Sequence, residues 1–149
     1  MRYMMLIYSQ EDDAANPDEM MAVAAGHRAV MEAARLRGIF HAADPLQPSS
    51  TATVVRLHEG ATIITDGPFA ETKEQLAGYY ILDCQDLDEA LTWAARIPTA
   101  CAGRSGCIEV RPLRELRPGM FTSGVHEAAA PAAGFPQKEP HFQKIDCAE

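Results

Sequence analysis

Residues 2–8 are apolar on both alternating faces of an extended chain, with Tyr3, Met5 and Ile7 on one and Met4, Leu6 and Tyr8 on the other. A half-solvated strand would alternate apolar with polar positions, so this run is predicted to be a strand buried on both sides. A chain that opens this way must place something against each face of its sheet.

The segments that follow supply one cover. Asn16-Pro17-Asp18-Glu19 offers an N-cap, a proline at the first helical position and two acids against the helix dipole, and Gly38 is placed to end the helix. A helix is predicted from about Pro17 to about Arg37. Ile39 to Ala43 reads as an edge piece. Thr51 to Leu57 and Ala61 to Asp66 are β-rich runs joined by His58-Glu59-Gly60, which predicts a hairpin. Leu76 to Cys84 is a further strand. Asp86 with Glu89 three positions later forms a capping box for a second helix that Pro98 stops, and Cys107 to Pro112 is a last strand. Strand, helix, two or more strands, helix, strand fits an α+β ferredoxin-like sandwich. Two helices cover one face of such a sheet, which leaves the other for a second copy of the chain, a homodimer.

A length of 149 residues suits one domain with a core, and the net charge of −8, with no basic run, argues against direct nucleic-acid binding. The opening apolar run is too short for a signal peptide and no stretch is long enough for a bilayer, so no membrane association is expected and the location is read as cytoplasmic. There Cys84, Cys101, Cys107 and Cys147 are expected to be free thiols. Cys101 and Cys107 lack zinc-knuckle spacing and no paired histidine motif follows, so no metal is expected. From Arg117 to Glu149 the composition turns Pro- and Ala-rich, marking a C-terminal extension of the domain at 1–116. Met120, Phe121, Phe135, Phe142 and Ile145 are expected to anchor it on the domain or on a partner subunit.

Two residues carry the candidate chemistry. Met20, Val23, His27, Val30, Met31 and Ala34 follow the spacing of one helix face, so His27 is expected to point toward the sheet. It reads either as a core histidine satisfied by a backbone carbonyl or as a titratable group in a partly buried pocket. Asp66 ends an apolar strand before Gly67-Pro68, and is either a turn residue bonding local N–H groups or the acid that orients His27. Gly67, Phe69, Lys73 and Gly78 are the ligand-binding candidates. Glu71, Lys73 and Glu74 also read as a solvated face, and Gly78 as a close approach or a bulge. No cofactor motif is read. The fitting chemistry is cofactor-independent proton transfer on a small organic molecule, as in an isomerase, lyase or hydrolase.

Asp66-Gly67-Pro68-Phe69, continued by Ala70-Glu71-Thr72-Lys73-Glu74-Gln75-Leu76, resembles the signature of DGPF-domain proteins, a branch of the YCII-related (YciI-like) family. The likeness extends to Tyr3–Tyr8, Gly78-Tyr79-Tyr80, Asp86–Leu91 with Trp93-Ala94-Ala95, and Glu109–Pro112, covering about residues 1–116. It implies a dimeric α/β-barrel in which two sheets pack face to face. It also implies a pocket histidine eleven residues before the glycine that ends the first helix, the distance from His27 to Gly38. The acidic partner credited to that histidine has no match on this helix, and Asp66 is the substitute. The loop Thr99–Gly106 and the extension depart from the family pattern. Relatives are often encoded beside alternative sigma factors, which implies a regulatory module with a sigma factor as partner instead of an enzyme.

Overall fold

The computed structural model describes residues 1–11, 16–99 and 106–115, together with the backbone of 143–144. Two compact units are present, one of Met1–Ala52 and Gly67–Leu113, the other of Thr53–Asp66 and Arg114–Glu149.

The first unit contains β1 (Arg2–Ser9), α1 (Pro17–Leu36), β2 (Phe40–Pro45), β5 (Gln75–Asp83), α2 (Leu87–Ala94) and β6 (Gly106–Pro112). Its strands form one antiparallel sheet in the order β2-β5-β1-β6. That order, with one helix after the first strand and one after the third, is the ferredoxin-like α+β arrangement. The edge piece expected at Ile39–Ala43 is β2, the second strand of this sheet.

Both helices start at their predicted caps and α1 also ends as predicted, whereas α2 ends at Ala94, before Pro98. Asn16 accepts the Asp18 N–H at 2.9 Å with Pro17 in the first turn. At the other end the Gly38 N–H reaches the Arg35 carbonyl and the Ile39 N–H reaches that of Ala34, a Schellman closure with Gly38 at a φ of 71°. In α2, Asp86 accepts the Glu89 N–H at 2.9 Å while the Glu89 carboxylate accepts the Gln85 N–H at 2.8 Å. These bonds satisfy donors that the first helical turn would otherwise leave open.

Register sorts the sheet into two faces. Tyr3 and Leu82, Met5 with Tyr80 and Val110, and Ile7 with Gly78 and Ile108 are cross-strand partners on one face. Tyr3, Met5, Tyr80 and Leu82 are buried in a core with Val30 and Ala34 of α1, Ala90, Trp93 and Ala94 of α2, and Ile97. The other face carries Met4, Leu6, Tyr8, Leu76, Tyr79 and Ile81, which keep partial exposure. Met20, placed on the apolar stripe by spacing, is 56% exposed. Val30 and Ala34, further along the same stripe, are the helix residues in the core.

The second unit holds the hairpin of β3 (Thr53–His58) and β4 (Ala61–Asp66). Glu59 and Gly60, both at positive φ, close it in the two-residue turn that matches strand twist. The hairpin is a separate sheet and adds no strand to the sheet of the first unit. Its third strand, β7 (Gln143–Lys144), pairs parallel to β4. The proposed anchors Met120, Phe121, Phe135, Phe142 and Ile145, and Cys101 and Cys147, lie outside the described residues.

A candidate active site beneath the first helix

Between α1 and the helix-side face of the sheet lies a cavity of about 420 Å³. Val23, Ala24, His27 and Met31 form its roof, Ile7, Ser9, Gly78 and Tyr80 its floor, and Pro98 and Thr99 one end. Most of this wall is apolar. Asp44 and Tyr79 also border it, but register with Tyr80 puts their side chains on the sheet's other face, where Tyr79 Oη donates to Asp44 Oδ2 at 2.8 Å.

His27 is the polar group in the roof. Its Nδ1 is 2.9 Å from Tyr80 Oη, and the two rings stack at an interplanar angle of 23°. Tyr80 is itself 3% exposed. Nε2 has no hydrogen-bond partner among the described residues, yet no described buried side-chain nitrogen or oxygen is left unpaired. Nε2 is therefore open to space, and the space beside the ring is the cavity. His27 thus borders the cavity, and its ring bonds the Tyr80 hydroxyl instead of a backbone carbonyl.

Burial pushes the His27 imidazole below its ordinary range and the Tyr80 phenol above its own, so both are neutral near pH 7. In the unfolded chain an ordinary histidine, with a pKa of about 6.5, takes up its proton first as pH falls. The folded state thus binds fewer protons in that window. The stability associated with His27 is complete above about pH 6.5 and is lost as pH drops from there through the folded-state value. Urea midpoints measured from pH 7.5 to pH 5 should fall less steeply for His27→Gln than for the parent chain. Parallel slopes would show that the ring is not desolvated.

Gly78 lies on the cavity floor for a reason of packing. A Cβ there would sit 2.8 Å from the Asp44 carbonyl oxygen and 3.2 Å from Pro45 Cα, so the close approach is that of the β2 backbone. The β1–β5 register also shifts beside it, between Ile7 and Tyr8, so the bulge reading holds as well. Gly78→Ala should force β2 outward and cost ~1–3 kcal/mol, as overpacking does. Chemical denaturation checks this, and an unchanged midpoint would contradict it.

The remaining candidates occupy other places. Asp66 ends β4 in the hairpin unit, where it pairs in register with Thr53. Gly67, at a φ of 92°, donates its N–H to the Ala52 carbonyl at 2.8 Å. Phe69 is 79% exposed and Lys73 is exposed. None of these four borders the cavity that holds His27 and Gly78. Tyr80 was within the Gly78-Tyr79-Tyr80 wording but unassigned. Its signal lay in alternation, which puts residue 80 on the same face as residue 78.

Cys84 is buried, and burial pushes its thiol up to about 11, which makes it an inert core residue. Among the described residues no three His, Cys, Asp or Glu side chains cluster closely enough to hold a metal ion, and no helix is long and apolar enough to cross a membrane.

Residues 1–117 match the family profile of the YCII-related domain. An uncharacterized protein of Rhizobium meliloti (strain 1021) is 40% identical over 116 residues, which is 78% of this chain and 87% of that protein.

Proposed function

The chain belongs to the YCII-related domain family, and from that footing we propose that it is a cofactor-independent enzyme acting on a small, largely apolar molecule bound beside His27. The observation that carries this reading is an imidazole with one nitrogen tied to Tyr80 and the other open to a partly open, mostly apolar cavity. A histidine kept only for packing needs no cavity at its free nitrogen, and burying a polar ring beside empty space is costly unless something uses it. A neutral imidazole in such a wall suits proton exchange with a bound molecule, as in isomerase, lyase or hydrolase chemistry. Asp66 remains the proposed acidic partner, and Gly67, Phe69 and Lys73 proposed ligand contacts. The test is a screen of small neutral and charged molecules, reading the His27 and Ile7 signals by NMR. Binders should shift both signals in the parent chain and lose affinity in His27→Leu. Binders that perturb only residues elsewhere would sink the proposal.

A homodimer formed through the helix-free sheet face is part of the same proposal, supported by the partly exposed Met4, Leu6, Tyr8 and Ile81 on that face. Sedimentation equilibrium tests it, with a mass of one chain as the contrary result. The regulatory reading, with a sigma factor as partner, draws on Val55 and Leu57, exposed by 62% and 81% in β3. Co-purification that survives His27→Leu but fails after Leu57→Asp would favour it.

A further inference from the structure

We propose that Tyr80 is a positioning residue that holds His27 as the tautomer with its proton on Nε2, so that the site takes a ligand presenting an acceptor oxygen, such as a carbonyl, to that N–H. The choice of ligand class rests on the proposed function above; the tautomer does not.

One proton lies between the two groups. Between Nδ1 and Tyr80 Oη, 2.9 Å apart, there is room for a single hydrogen, and either group could supply it. If Nδ1 supplied it, the phenolic proton would need another acceptor. The candidate is the backbone carbonyl of His27, 3.4 Å from Oη. That distance lies outside the ordinary 2.5–3.0 Å range for O–H···O contacts. The same carbonyl sits inside α1, where the helical ladder already uses it. The hydroxyl oxygen would accept from Nδ1, but its own buried proton would be left with only that long contact, which costs as much as a weakened hydrogen bond. If Tyr80 instead donates to Nδ1, the stronger acid meets the stronger acceptor and nothing buried is left over. The imidazole proton then sits on Nε2, at the cavity.

The consequence for chemistry is specific. Nε2–H is a donor, so the ring polarises an oxygen on its ligand and steadies negative charge there, as neutral histidines can. It does not serve as the first acceptor of a ligand's proton. Val23, Ala24 and Met31 line the cavity beside it.

Long-range ¹H–¹⁵N spectra of the full chain at pH 7.5, with acetophenone as a neutral one-acceptor probe, test both parts. The His27 ring is expected to show the Nε2–H pattern, and Tyr80→Phe, which removes only the hydroxyl, should shift it toward a mixture of tautomers. An Nδ1–H pattern in the parent chain, or a tautomer unmoved by Tyr80→Phe, would overturn the assignment to Tyr80. Acetophenone should shift the Nε2 signal. His27→Gln, whose amide N–H can replace the donor, should bind it within about threefold of the parent, and His27→Leu about tenfold more weakly. Equal binding by His27→Leu would overturn the ligand class while the spectra still judged the tautomer.

Discussion

In the enzyme proposed above, replacing His27 with leucine is expected to lower turnover by about 10²- to 10³-fold, the usual worth of a single preorganised hydrogen-bond donor. Leucine occupies nearly the space of the ring, so the roof of the cavity keeps its bulk and α1 stays packed in the core through its own Val30 and Ala34. The fold should therefore survive. What disappears is the open nitrogen and the partner of Tyr80, whose hydroxyl keeps only the 3.4 Å contact with residue 27's carbonyl. A modest stability loss of about 1–3 kcal/mol is expected from that orphaned donor, too little to explain the kinetic effect. Initial-rate kinetics beside a denaturation curve separate the two. A variant that folds and turns over at the parental rate would remove His27 from the chemistry.

The complementary case is Leu82→Ala. Leu82 is fully buried in β5, with Tyr3 of β1 and Phe40 of β2 as its cross-strand partners. Neighbours on both sides belong to strands fixed by their own ladders, so they can close little of the space. The expected cost is ~2–5 kcal/mol, the range for deleting a buried leucine side chain. That is a large part of the roughly 5–15 kcal/mol available to a domain. Leu82 does not border the cavity, so the folded fraction should retain parental affinity at His27. Urea unfolding measures the first claim. A cost under about 1 kcal/mol would mean that the sheet face is less tightly packed than its burial indicates. Together the two variants separate activity from stability in opposite directions.

Much of the fold was legible because its signals are local. Asn16-Pro17 and Gly38 bound α1, Asp86 and Glu89 cap α2, and Glu59-Gly60 closes the hairpin, each by backbone chemistry that a few adjacent residues determine. The role of the hairpin was less legible. Its strands have the composition of sheet members, and β2, not the hairpin, takes the place beside β5 in the central sheet. That pairing is nonlocal, and β2 has too short and irregular a pattern to announce it. The exposure of Met20 has the same origin, since periodicity identifies a helix face but not how far the sheet extends beneath it.

The site divides in the same manner. His27 stood out because a histidine in an apolar stripe conflicts with its neighbours. Gly78 stood out because a glycine among bulky strand residues does. Tyr80 carried no such conflict, being an aromatic residue where strands favour one. Its pairing with His27 spans 53 positions and depends on α1 crossing β5 at a particular turn. Asp66, the acid most visible in the sequence, belongs to the hairpin unit, whereas the partner seen at the imidazole is a phenol.

The most direct test of the central claim is a crystal structure of the full chain soaked with acetophenone. The phenyl ring is expected between Met31 and Ile7, both of which line the cavity, with the carbonyl oxygen about 2.6–3.2 Å from His27 Nε2. Ordered acetophenone bound elsewhere, with the space beneath His27 empty at saturating concentration, would contradict it.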